Sequence, residues 1–150
     1  MTKETAVSST FFPSLLAAAI SENWSLIDEV FVPRLSELNG NIMARSLLKN
    51  ARNKDPNIRD LVATCLPHLK ITSKRVYRDT IRAMIIMVSL DQEVFPAGRA
   101  VLYLLHQTEN DDETGIKIKE ALEVFKKRVK ENNWEEQLRE AIPELVTLFT

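Results

Sequence analysis

Glycine is scarce: three in 150 residues, at positions 40, 98 and 115. Sheet proteins use glycine to turn tightly between strands, whereas helical proteins need little of it, so the scarcity points to an all-α chain. It also excludes a glycine-rich loop to cradle phosphates, and the Gly-x-Gly-x-x-Gly, Gly-x-Ser-x-Gly and P-loop patterns are all absent. A single cysteine, Cys65, rules out an intramolecular disulfide and fits a reducing compartment. The two histidines, His68 and His106, belong to no His-x-x-x-His or Glu-x-x-His spacing. No metal site and no cofactor is therefore expected. No apolar run approaches the roughly 18 residues of a membrane span. The first residues, Met-Thr-Lys-Glu-Thr, lack the basic start and apolar run of a signal peptide. The expectation is a soluble, cytoplasmic protein that does not engage membranes.

What is present is helical periodicity, clearest over residues 55–69. Ile58, Leu61, Val62, Cys65, Leu66 and Leu69 fall on one face of a 3.6-residue helix, with Asp55 as N-cap and Pro56 where its missing N–H does no harm. Cys65 lies within that stripe and is read as a packing residue. Pro67 should distort the last turn. Upstream, residues 1–9 are polar and aperiodic and read as a flexible N-terminal arm, leaving 10–150 as a single helical domain. A first helix buries Phe12, Leu15, Leu16, Ala19 and Ile20 and ends at Ser21-Glu22-Asn23. A second, capped by Ser25, carries Leu26, Ile27, Val30, Phe31, Leu35 and Leu38, with Pro33 bending or splitting it after Val32. Asn39-Gly40 closes that pair. A third helix runs from Asn41 to a stop at Asn53-Lys54.

Beyond the 55–69 helix, Thr72 or Ser73 caps a fifth helix whose buried stripe is Tyr77, Ile81, Met84, Ile85 and Val88, widened by Val76 and Ile86. Pro96 opens a sixth, with Ala97, Ala100, Val101, Leu104 and Leu105. A polar linker, Gln107 to Glu113, leads into a seventh built on Ile118, Ala121, Leu122, Phe125 and Val129. Asn133 then caps a last helix through Trp134, Leu138, Ala141, Ile142, Leu145 and Phe149, kinked at Pro143. Connections this short make neighbouring helices antiparallel.

Self-comparison gives one period. Pro56-x-x-Arg59 recurs 40 residues on as Pro96-x-x-Arg99, and Leu61, Val62 and Cys65 then correspond to Val101, Leu102 and Leu105. Asp55-Pro56-x-Ile58-Arg59-x-x-Val62-Ala63-x-x-Leu66 resembles the second helix of a repeat of the HEAT and armadillo kind. The match is partial at 96–107, where no aspartate precedes the proline and Gly98 replaces the β-branched residue. The resemblance implies about eight antiparallel helices stacked as hairpins in a HEAT-like α-solenoid, and a non-enzymatic adaptor. The alternative architecture is a globular helical bundle.

The residues themselves carry little chemistry. Asp111-Asp112 and Glu135-Glu136 are the nearest thing to carboxylate dyads, and both sit in linker or solvated helix positions, so the chain is not read as an enzyme. Charge is more telling. Residues 43–82 hold ten Lys or Arg against three Asp, +7 in a chain of net −1. Helical spacing aligns Arg45, Lys49 and Arg52 on one helix and Arg75, Arg78 and Arg82 on another. These six are the candidate binding residues, for an acidic protein partner or, alternatively, for the phosphates of a nucleic acid. Only Tyr77 lies among them as an aromatic, which argues against stacking on bases. The bland reading is a solvated face paired internally with Asp60, Asp79 or the acidic C-terminal helices. The runs Met84 to Leu90 and Val101 to Leu105 offer a third idea, an apolar edge for a homodimer.

Overall fold

A computed structural model describes residues 3–107 and 112–149, with side chains described for 10–107 and 113–149. Among the described residues every regular element is helical and none is a strand. The chain divides into two compact units, Met1–Thr80 and Ile81–Thr150. Residues 108–111, most of the expected polar linker, lie outside the described residues.

In the first unit, α1 (Lys3–Ile20) reaches back through residues read from the sequence as an arm. Its buried stripe is Phe11, Leu15, Ala18 and Ala19, one position round from the expected face, so Phe12 and Leu16 are half-buried and Ile20 is exposed. Phe11 meets Phe31 edge to face, ring centroids 5.2 Å apart, and Arg34 lies over the Phe11 ring. The helix ends in a Schellman turn: Asn23 N–H donates to Ala18 O and Glu22 N–H to Ala19 O, with Glu22 left-handed at φ 57°.

That geometry puts Asn23, not Ser25, outside the next helix. Its Oδ1 accepts from Leu26 N at 3.3 Å, while Ser25 is an exposed residue inside α2 (Trp24–Leu26). The chain does not split after Val32. A π-helical turn, Ile27–Phe31, widens the backbone ahead of Pro33, and α3 (Val32–Arg34) and a 3-10 turn, Leu35–Glu37, carry the helix on. A prolyl ring collides with the carbonyl four residues back, and the wider turn is where that crowding is relieved.

Asn39 caps α4 (Gly40–Leu48) by accepting from Ile42 N at 3.1 Å. Gly40 is a buried helical residue and not a turn: a Cβ there would lie 1.9 Å from Lys70 O. Next to it, Asn41 Nδ2 donates to Thr72 Oγ1 at 2.9 Å, and Thr72 and Ser73 N–H both donate to Asn41 Oδ1 at 3.1 Å. Two adjacent residues thus pin the segment leading into α6 (Lys74–Leu90) against the start of α4.

Between them α5 (Pro56–Cys65) follows the sequence closely. Asp55 accepts from Asn57 N, and Ile58, Leu61, Val62, Cys65 and Leu66 are buried. Arg59 Nη1 donates back to Asn53 O and Lys54 O, fixing the incoming loop. Pro67 shortens the end to a 3-10 turn, Leu66–His68. Helix α1 packs on α4, on α5 and on the π turn. Ser73 caps α6, accepting from Val76 N. Its buried face centres on Val76, Thr80, Met84 and Met87 with Ile81 and Val88, leaving Tyr77 and Ile85 half-buried. Thr80 tolerates full burial because its hydroxyl donates to Val76 O at 2.8 Å.

In the second unit, α7 (Val94–Leu105) starts two residues before Pro96 and packs on α8 (Asp112–Asn132), on α9 (Glu135–Ala141) and on a 3-10 turn, Pro143–Leu145. Gly98 allows this approach, since a Cβ would come within 2.8 Å of Leu138 Cδ2 and 3.0 Å of Ile142 Cδ1. Asn133 ends α8 instead of capping α9. It is left-handed at φ 57°, with Trp134 N–H donating to Val129 O and Asn133 N–H to Lys130 O, a second Schellman turn. Trp134 is buried beside Phe125. Arg128 reaches from α8 to Val88 O at 2.7 Å and Asp91 O at 2.5 Å while its guanidinium lies over the Trp134 ring. The break at Pro143 separates α9 from α10 (Val146–Phe149), which packs on α8 and α9.

Candidate interaction face

All six basic residues singled out by spacing are exposed. Arg45 lies in α4 and Lys49 is its C-cap, one turn on, so these two share a face. Arg52 does not extend it. After Leu48 the backbone tightens: Asn50 N–H donates to Leu47 O and Ala51 N–H to Leu48 O, and Asn50 Nδ2 ties back to Ser46 O. Those bonds span three residues in place of four, so the 100° rotation that aligned Arg52 with Arg45 no longer applies. Arg75, Arg78 and Arg82 sit on continuous α helix and keep their common face; Arg82 belongs to the second unit.

The helices that carry the two stripes are tied at their N-terminal ends. Asn41 is four residues before Arg45, on the same side of α4, and its side chain holds Thr72 and Ser73, which lead directly into α6. The N-terminal ends of α4 and α6 therefore lie together. Arg45 and Lys49 run down one helix from that point, and Arg75 and Arg78 down the other.

Two further observations bear on what this face can do. Ile42, 53% exposed, falls at i, i+3 and i+7 with Arg45 and Lys49, an apolar side chain among cations. Among the described residues, none of the six basic side chains forms an ion pair. Asp60 is buried in α5 and accepts from Thr64 Oγ1 at 3.4 Å. The first unit as a whole carries eleven Lys or Arg against eight Asp or Glu, net +3, and the second nine against thirteen, net −4.

Sequence reasoning missed Ile42 and Asn41. Ile42 carries a weak signal, being apolar at a position where the helix stripe calls for a polar residue. Asn41 carries none, because its partners are 31 and 32 residues away.

The other candidates sort quickly. His68 and His106 are exposed at the ends of α5 and α7. Among the described residues no group of His, Cys, Asp and Glu is placed to hold a metal ion. Cys65 is buried, and desolvation first, with Asp28 and Asp60 adding to it, pushes its thiol up to about 12, which makes it a poor nucleophile. Of the apolar runs, Met84, Met87, Val88, Val101, Tyr103 and Leu104 are buried, leaving Leu90, at 65%, as their one strongly exposed member. No helix among the described residues is long and apolar enough to cross a membrane.

No protein-family model, curated protein or solved structure matches the chain.

Proposed function

We propose that the chain is a non-enzymatic protein-interaction module that docks an acidic protein partner on the face formed by Ile42, Arg45 and Lys49 of α4 with Arg75 and Arg78 of α6. The observation that carries this reading is a set of exposed arginines and lysine without ion-pair partners among the described residues, on two helices whose N-terminal ends the Asn41 bonds tie together, with Ile42 exposed beside Arg45. Opposite charge steers a partner onto such a face and suppresses wrong ones, while the apolar contact slows its release. Stacking of the helices as HEAT-like hairpins is part of the proposal; the Asp55-capped α5 with its Arg59 supports it.

The second reading uses the same cations to contact nucleic-acid phosphates. Ile42 favours the protein partner, since an exposed aliphatic side chain adds nothing to a phosphate contact.

Affinity capture from extract, with and without nuclease, separates the two. The expected result is protein partners that survive nuclease and are lost from the Arg45→Glu, Lys49→Glu, Arg75→Glu variant. Capture that disappears on nuclease treatment, together with a mobility shift of duplex DNA or RNA at low salt, would reverse the order of the two readings.

A further inference from the structure

The basic face of the first unit has a counterpart in the second. Residues 131–144 hold five glutamates, Glu131, Glu135, Glu136, Glu140 and Glu144, against one base, Arg139, and all five are exposed. None of the five forms an ion pair among the described residues. They stand on fixed ground. The Schellman turn at Asn133, the buried Trp134 and the Arg128 guanidinium above it set where α9 leaves α8.

The spacing on the two faces agrees. Glu136 and Glu140 are four residues apart on α9, as are Arg45 and Lys49 on α4 and its cap, and four residues of helix advance about 6 Å. Like charges one turn apart repel, so each face is mildly unfavourable in the free chain, and an opposed pair of matching pitch relieves both.

We propose that the chain self-associates head to tail, the acidic face of α9 in one copy seating on the basic face of α4 and α6 in another. This rests on the reading of that basic face as a docking surface, with a second copy as its occupant. Since the two contacting faces differ, each contact is heterologous: it closes into a ring of two or more copies or adds copy after copy. The attraction is between exposed charges and is screened as ionic strength rises, the Debye length falling from about 30 Å at 0.01 M to about 3 Å at 1 M.

Size-exclusion chromatography with light scattering, on the full chain over a series of concentrations, tests it. At about 0.01 M salt the mass should exceed 17.1 kDa and grow with concentration, and at about 1 M it should return to 17.1 kDa. Arg45→Glu, Lys49→Glu and, separately, Glu136→Lys, Glu140→Lys should each stay monomeric at low salt, with helical circular dichroism showing that they fold. Mixed in equal amounts, the two variants should associate again, because each supplies the face the other has lost.

A wild-type chain that stays at 17.1 kDa at low salt overturns the proposal, as does association that strengthens with salt, survives either variant or fails to return on mixing. The α9 variant leaves the basic face untouched. If it captures acidic partners normally while the wild type is monomeric, self-association falls and the docking reading stands; if the basic-face variant still captures every partner, the docking reading falls by itself.

Discussion

The same substitution, glycine to alanine, has three different consequences in this chain, and the differences come from what a new methyl group would meet. On propensity alone, alanine in a helix interior is worth about 1 kcal/mol over glycine. At Gly115, in the first turns of α8, nothing lies within 4 Å of the added carbon, so most of that gain is realised and Gly115→Ala should stabilise by about 0.5–1 kcal/mol. At Gly98 the carbon arrives 2.8 Å from Leu138 Cδ2 and 3.0 Å from Ile142 Cδ1, both on fully buried side chains with nowhere to swing. Overpacking of this kind costs about 1–3 kcal/mol, and against the propensity gain Gly98→Ala should be destabilised by up to about 2 kcal/mol. At Gly40 the obstacle is backbone. The carbon falls 1.9 Å from Lys70 O where ordinary contact begins at 3.4 Å, so the 70–73 segment must retreat by the difference, about 1.5 Å. The three Asn41 hydrogen bonds cannot follow it, and at about 0.5–1.5 kcal/mol each their loss makes Gly40→Ala destabilised by about 2–4 kcal/mol. Urea unfolding followed at 222 nm, comparing midpoints and slopes, reads all three. A Gly40→Ala protein as stable as wild type, or a Gly115→Ala protein less stable, would show that the helix approaches are not as described.

Other outcomes follow from the same structure. Glu22 is left-handed without being glycine, at a cost of about 1–2 kcal/mol of which glycine's extra chain entropy returns roughly half, so Glu22→Gly should raise stability by about 0.5–1 kcal/mol, seen as a higher melting temperature. Arg128→Ala removes two hydrogen bonds to the carbonyls of Val88 and Asp91 and the contact with Trp134, and should cost about 2–4 kcal/mol, with faster amide exchange over residues 88–94. The Cys65 thiol, pushed up from 9.0 to about 12, stays protonated in the folded chain while the unfolded chain loses its proton. The stabilisation is complete below pH 9 and is lost as pH rises through the window from 9 to 12, because the unfolded state there binds fewer protons. Urea midpoints in that window should fall more steeply for wild type than for Cys65→Ala, and native Cys65 should resist iodoacetamide at pH 8.

Much of the helical outline could be read from the sequence because it rests on local chemistry. Asp55 and Ser73 cap where they should, and Pro67 and Pro143 interrupt where they should, since a proline's missing N–H acts wherever it sits. Register was harder. On α6 two overlapping stripes are almost equally apolar, and the one that is buried contains Thr80, whose hydroxyl is satisfied within the helix and so is not polar in effect. Caps were ambiguous where two suitable residues stand close. Asn23 and Ser25 both qualify, and the left-handed Glu22 decides between them; Asn133 qualifies for either end of the α8–α9 junction, and its positive φ assigns it to the first. The six cations are exposed, yet Arg52 leaves the stripe because the backbone tightens after Leu48, which no spacing rule anticipates. The tie between the N-terminal ends of α4 and α6 depends on Asn41, whose partners are distant in sequence.

The Gly40-Asn41 pair also predicts how sequences related to this one should vary. Lys70 supplies only backbone to the contact, so position 70 is free to change, whereas position 40 must stay glycine and position 41 must keep an amide able both to donate and to accept. Position 72 must keep a hydroxyl to receive the amide proton, and neither 72 nor 73 can be proline, since both give up an N–H to Asn41. Gly-Asn followed at positions +31 and +32 from the asparagine by a hydroxyl residue and a helix cap is therefore a fingerprint of this joint, and a more discriminating one than the apolar stripes that any helical protein shares.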